Sequence, residues 1–310
     1  MSTPAGPVSA LEYYEAFEQA LSSLTRLRRE YRRHFGASDR PAPPGYCWFK
    51  GVVSPERHPD YAEWACSAAA ELEARFLSEL PRLAPRSVLD VGCGNGALLL
   101  RLSEECPGAE LRGVNFQPRQ AAVARGLLQN TRAEIIEANF LELELGRRFE
   151  LICMVESAFH MPDKAELCRR LAAALEPGGE VWLLDIVIAE RASSAFTTLG
   201  RDQTLFNYVP LELWHSSFNP HGIQNVELVD LSREISDFLQ VSDVNVLRDK
   251  YLQPRMSSTL CEASTLARTH GDPARLLELM VRTANEYRRL SRLLRGGMLQ
   301  YVLMRWRKAG

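Results

Sequence analysis

Two short stretches hold residue types and spacings that could do chemistry. Residues 88–96 read VLDVGCGNG, an apolar run with one acid, Asp90, that leads into Gly92, Gly94 and Gly96 at alternate positions. Glycine lets a backbone turn sharply out of a strand and lets a ligand approach closely. The segment that follows, Ala97–Leu102, is a good helix former, so free N–H groups would point back over the loop. An ionised carboxylate at the end of an apolar strand is costly unless something bonds it. A nucleotide ligand with a cationic amine would supply that partner to Asp90, directly or through water. The second stretch, residues 156–164, reads ESAFHMPDK. Its Glu156 could face a cation. A histidine's unperturbed pKa lies near working pH, so His160 could take a proton from a nucleophile; a histidine capping the helix that starts near Pro162 is the alternative.

The elements around these stretches alternate. Apolar runs predict strands at 87–91, 110–114, 133–137, 149–155 and 179–186, with helices at 96–105, 117–129 and 163–175. Pro177-Gly178-Gly179 reads as the turn into the fifth strand. Alternating strands and helices with apolar strands imply an α/β fold, a parallel sheet covered on both faces. Before this core, helical spacing is present in residues 9–34 and 60–80, with a proline- and glycine-rich loop at 41–51. After it, the pattern loosens over 191–222, a strand is expected at 224–231, helices run to about 296, and MLQYVLMRW reads as a final strand. The expected organisation is an N-terminal helical cap at 1–80, a ligand-binding core at 81–190, and a substrate cap at 191–310 whose C-terminal strands complete the sheet.

VLDVGCGNG resembles motif I of the class I S-adenosylmethionine-dependent methyltransferases. A dinucleotide fold is the competing reading, but its glycines are spaced GxGxxG and its strand is apolar where Asp90 stands. ESAFHMPDK is similar to the segment after the fourth strand in the small-molecule C-, N- and O-methyltransferases, the natural-product, sterol and tocopherol group. The resemblance implies a doubly wound, mostly parallel seven-stranded sheet, a Rossmann-like methyltransferase fold, with S-adenosyl-L-methionine as cofactor. It assigns Asp90, Gly92, Cys93, Gly94 and Gly96 to the cofactor. Asn115 stands where the family usually has an acid gripping the ribose hydroxyls, and Asn139 where an acid receives the adenine amine. Phe116, Gln120, Phe140 and Val155 would complete that pocket, and Tyr14 resembles a tyrosine that closes over the methionine end. On the reaction side, His160 is the candidate base and Glu156 and Asp185 the candidate carboxylates. Tyr46, Trp48, Phe196, Phe206, Tyr208 and Trp214 could line an apolar substrate pocket, although core packing explains aromatic residues equally well.

Other classes fit less well. A net charge of −2 over 310 residues argues against a general nucleic-acid or anionic-membrane binder. No apolar run reaches membrane-spanning length, and the polar, acidic first residues are unlike a signal peptide. The seven cysteines are scattered with no CxxC pair, so neither a disulfide framework nor a zinc site is expected, and a reducing cytoplasm suits them. The leading expectation is methyl transfer to a hydroxyl, or an amine, of an apolar small molecule in secondary metabolism. One alternative is a C-methyltransferase on a prenyl or sterol-type alkene, with Glu156 and aromatic side chains stabilising a carbocation. Another is a binding protein that keeps the fold without the chemistry. The acceptor and the oligomeric state, a homodimer included, stay open.

Overall fold

A computed structural model describes residues 36–38, 40, 42–43, 59–192, 207–242 and 286–310. These fall into two compact units. One takes Glu73–Ser232 and Gly297–Gly310; the other takes the described residues up to Leu72 and Arg233–Gly296.

The first unit holds a seven-stranded sheet: β1 Ser87–Val91, β2 Glu110–Asn115, β3 Glu134–Glu137, β4 Phe149–Val155, β5 Leu175–Ile188, β6 Ile223–Asp230 and β7 Leu299–Lys308. Their spatial order is β3-β2-β1-β4-β5-β7-β6. The first five strands are parallel, and β7 runs antiparallel between β5 and β6. β1 is buried along all five residues, Asp90 included, as befits a mostly apolar strand flanked on both sides and covered on both faces. The chain leaves β1 toward β2 and β3, then returns to the other side of β1 with β4. That reversal is a topological switch point, where ligands of open α/β sheets bind, and both chemistry-bearing stretches begin there, at the carboxyl ends of β1 and β4.

The flanking helices of this unit include α1 Pro59–Phe76, whose last residues belong here, then α2 Ala97–Glu105, α3 Pro118–Leu127, α4 Lys164–Ala174 and α5 Leu211–Phe218. α4 turns Leu167, Cys168 and Leu171 onto the sheet, in a core with Leu89, Ile152, Met154, Val181 and Leu183. Trp214 and Phe218 of α5 extend this core, and Phe218 lies against Trp306 at 4.8 Å between ring centres. In the second unit, Trp64 of α1 stacks on Phe238 of α6 (Ser232–Ser242) at 5.5 Å. There Ser236 of α6 also bonds Ser291 of a helix described over 286–295, α7.

Two features depart from the sequence expectation. The turn expected at Pro177-Gly178-Gly179 is instead an irregularity inside β5, which begins at Leu175; its pairing with β4 jumps from Phe149↔Leu175 to Leu151↔Glu180. Gly178 takes the left-handed conformation the bulge needs, at φ 76°. Within the apolar final strand, Arg305 is buried. Its guanidinium pairs with Glu227, donates to the Phe76 carbonyl at 3.0 Å, and lies 4.7 Å from the Trp182 ring. The fold tolerates this charge because it is paired and hydrogen-bonded. Among the described residues, no helix is long and apolar enough to cross a membrane.

Candidate active site

The loop leaving β1 is built from three left-handed glycines: Gly92 at φ 78°, Gly94 at 53° and Gly96 at 84°. Gly92 has a second constraint, because a Cβ there would meet Ser157 Cβ at 2.4 Å. That closeness brings the two chemistry-bearing stretches together, and the Ser157 hydroxyl seals it by donating to the Val91 carbonyl at 2.7 Å. The N–H groups of Gly92 and Cys93 both donate to Val114 of β2, at 2.8 and 3.1 Å. A Cβ on Gly94 would meet nothing within 4 Å. The middle of the loop therefore faces open space.

Asp90 is 2% exposed. Burial pushes its carboxyl up from 3.8 to about 7. Among the described residues none donates a hydrogen bond to it. A buried carboxylate without a donor is rare because it is costly, and this one lies a single residue from the glycine loop. A cation bound there would lower its pKa and remove the cost.

Around the end of β2, Asn115 is buried and hydrogen-bonded to Gly94 and Gln120. Phe116 is 43% exposed, a large apolar ring presented beside the loop. Asn139 forms an exposed local turn: its Oδ1 accepts from Leu141 N–H at 3.1 Å and its amide donates to Glu142 at 3.0 Å. Phe140 belongs to the hydrophobic core at 3% exposure, so its ring is committed to packing, as is that of Trp214 at 1%. Cys93 is buried, and desolvation raises its thiol well above the usual range. Val155 ends β4, half-buried.

Beyond β4, Glu156 occupies left-handed backbone at φ 48°, a conformation costing a non-glycine residue about 1–2 kcal/mol. Its Oε1 accepts from the hydroxyl of Tyr301 on β7 at 2.7 Å. The single helical turn Ala158–His160 follows. It is held from both sides: Asp185 Oδ2 accepts the Phe159 N–H at 3.1 Å, and the Lys164 ammonium donates to the carbonyls of Ala158 and Met161. Asp185 is 1% exposed, and burial raises its carboxyl to about 7. Burial likewise lowers Lys164 to about 8. Asp185 and Lys164 are thus anchors of the turn, and His160 is what the turn carries, half-buried with its ring 4.2 Å from that of Phe159. Tyr208 packs edge-on against Phe159, 5.8 Å away between ring centres.

The structure brings Asp90, the glycines, Asn115, Phe116, Gln120, Val155, Glu156 and His160 to the carboxyl edge of neighbouring strands. Tyr14, Tyr46, Trp48, Phe196 and Phe206 lie outside the described residues. Sequence reasoning missed Ser157, Lys164 and Tyr301. The first two sit inside ESAFHMPDK, where a buried role was available to them; Tyr301 sits 145 positions from its partner, with no local signal. Among the described residues, no group of His, Cys, Asp and Glu could hold a metal ion.

Known proteins resemble this chain in sequence and in fold. Residues 88–179 match a family described as a methyltransferase domain. Methyltransferase GfsG of Streptomyces halstedii is 28% identical over 180 residues, covering 54% of this chain and 63% of that protein. The ubiquinone biosynthesis O-methyltransferase of Stutzerimonas stutzeri is 30% identical over 138 residues, covering 43% of this chain and 58% of its own length. The chain thus spans less than two thirds of either relative. Among solved structures, the O-methyltransferase of a trans-AT PKS multienzyme of Brevibacillus brevis, in complex with S-adenosyl-L-homocysteine, superposes with a TM-score of 0.68 at 19% identity, over 90% of this chain and 85% of that one.

Proposed function

We propose that residues 88–179, which match a methyltransferase domain family, form a class I S-adenosylmethionine-dependent methyltransferase domain, and that the protein methylates a hydroxyl, or an amine, of an apolar small molecule in secondary metabolism. The observation that carries this reading is the buried carboxylate of Asp90, with no donor among the described residues, beside an open glycine loop. It fits the cationic amine at the methionine end of S-adenosyl-L-methionine. When bound, that group supplies a sulfonium methyl open to in-line displacement. Asp90 and the loop at Gly92, Gly94 and Gly96 bind it, and the exposed ring of Phe116 offers the adenine a face. His160 would hold the proton that the acceptor's hydroxyl gives up, the methyl C–S bond of the cofactor breaking to leave S-adenosylhomocysteine. Asp185 and Lys164 fix the turn on which His160 stands. Holding nucleophile and methyl in line supplies most of the rate enhancement, and a positioned base adds about 10² to 10⁴-fold.

Incubating the protein with metabolite extracts and methyl-labelled cofactor, then searching by mass spectrometry for products that gain one methyl group, tests this reading. Replacing His160 with alanine should slow that transfer far more than it weakens cofactor binding. Equal turnover would make His160 structural.

The strained backbone and tyrosine-held carboxylate of Glu156 favour a second reading, C-methylation of an electron-rich alkene with Glu156 facing the cation. Loss of transfer in Glu156→Gln together with tolerance of His160→Ala would select it.

A further inference from the structure

Asn115 ends β2 at 3% exposure, and its carboxamide is largely spent within the protein. Nδ2 donates to the Gly94 carbonyl at 3.0 Å and to Gln120 Oε1 at 2.9 Å. Oδ1 accepts the Gln117 N–H at 3.2 Å. An amide nitrogen carries two protons, so both are committed. The partners also fix which atom is nitrogen, because a carbonyl can only accept and an N–H can only donate. Gln120 is held in turn, its N–H received by the Gln117 side chain at 2.6 Å in the cap of α3. Gly94 meanwhile has open space where a side chain would stand and takes a backbone conformation that only glycine adopts freely.

We propose that Asn115 and Gln120 are positioning residues, a staple that holds the glycine loop in its ligand-receiving shape through the Gly94 carbonyl. This rests on the S-adenosylmethionine reading of the pocket. The peptide unit is planar and trans, so drawing the Gly94 carbonyl toward β2 turns the Asn95 N–H the opposite way. The staple thereby decides which polar groups the loop presents. Without it, a glycine-rich loop must be ordered by the ligand itself, at the expense of affinity.

The discriminating variant is Asn115→Asp. Aspartate has no proton to give, and it sets a carboxylate against two acceptors, the Gly94 carbonyl and Gln120 Oε1. As a receiver of ribose hydroxyls, however, it is at least the equal of asparagine. The staple predicts that calorimetric affinity for S-adenosylhomocysteine falls by about tenfold to a hundredfold, the effect of unpartnered buried polar groups. Equal or tighter binding would overturn it in favour of a direct grip on the ribose. Gln120→Met removes the acceptor while leaving position 115 intact, and should weaken binding by about threefold to tenfold; unchanged affinity again refutes the staple, and this variant carries the test should Asn115→Asp fail to fold. Hydrogen exchange of the unliganded proteins separates positioning from general destabilisation. Faster exchange confined to residues 92–96 is expected, and a uniform rise across the sheet would contradict it. Should the unaltered protein bind no S-adenosylhomocysteine, the cofactor reading falls, while the exchange comparison still decides the staple.

Discussion

Asp90 sets function against stability, and Asp90→Asn exposes the conflict. Its carboxyl ordinarily titrates near 3.8 and is raised by burial to about 7 in the unliganded fold. The folded state therefore binds the proton more tightly than the unfolded chain. Its stabilising contribution is complete below pH 3.8, declines between pH 3.8 and about 7, and is gone above that. At about 1.4 kcal/mol for each tenfold change in proton affinity, the ionised side chain costs the unliganded fold up to about 4 kcal/mol at pH 8. An asparagine removes the charge but remains a buried polar group, so roughly half of that should be recovered, ~2 kcal/mol or about 5 °C in Tm. Asp185, raised in the same direction to about 7, persists in the variant, so its stability still declines over this pH range, less steeply. Thermal unfolding of both proteins at pH 5 and pH 8 reads the effect, with stabilisation expected at pH 8 and little gain at pH 5. Calorimetry should show the opposite trend for the ligand, with affinity for S-adenosylhomocysteine down at least about a hundredfold, because the ligand's ammonium loses its counter-charge. A variant that melts lower at pH 8, or that binds the ligand as well as the parent, would refute the reasoning.

Gly92→Ala should cost about 2–4 kcal/mol, from a left-handed backbone and a Cβ driven to 2.4 Å from that of Ser157. Gly146→Ala, at φ 67° but with nothing within 4 Å, should cost only about 1–2 kcal/mol; equal losses in denaturant melts would mean the contact with Ser157 is immaterial. Tyr301→Phe removes one hydroxyl from Glu156 and should raise KM or lower kcat for the acceptor while S-adenosylhomocysteine binding holds within about twofold. A matching loss of cofactor affinity would place Glu156 on the cofactor side instead. Lys164→Met should free the turn at 158–161 and lower turnover by about tenfold or more through His160; unchanged turnover would show that Asp185 alone suffices to hold it.

Most of the sheet was legible in the sequence because its strands are mostly short, predominantly apolar runs alternating with helices that have periodic faces. β1 was read at 87–91 and β4 at 149–155, as observed. The bulge in β5 was not, since Pro-Gly-Gly signals a turn whether or not pairing resumes on both sides. The glycine loop was legible because three left-handed positions admit little else. The polar connections were not: nothing near Asp185, a candidate reaction-side carboxylate, signals that it accepts the Phe159 N–H, and nothing near Arg305 signals a buried charge in a largely apolar strand. Such partners are joined by the topology, over separations of 26 to 145 residues in the bonds from Phe159 and Tyr301, and no local pattern encodes them.

Isothermal titration of the unaltered protein with S-adenosylhomocysteine at pH 7.5 is the most direct measurement. Saturable one-to-one binding in the micromolar range, accompanied by proton release as Asp90 ionises, is expected. Absence of heat up to millimolar ligand would contradict a nucleoside site at the glycine loop.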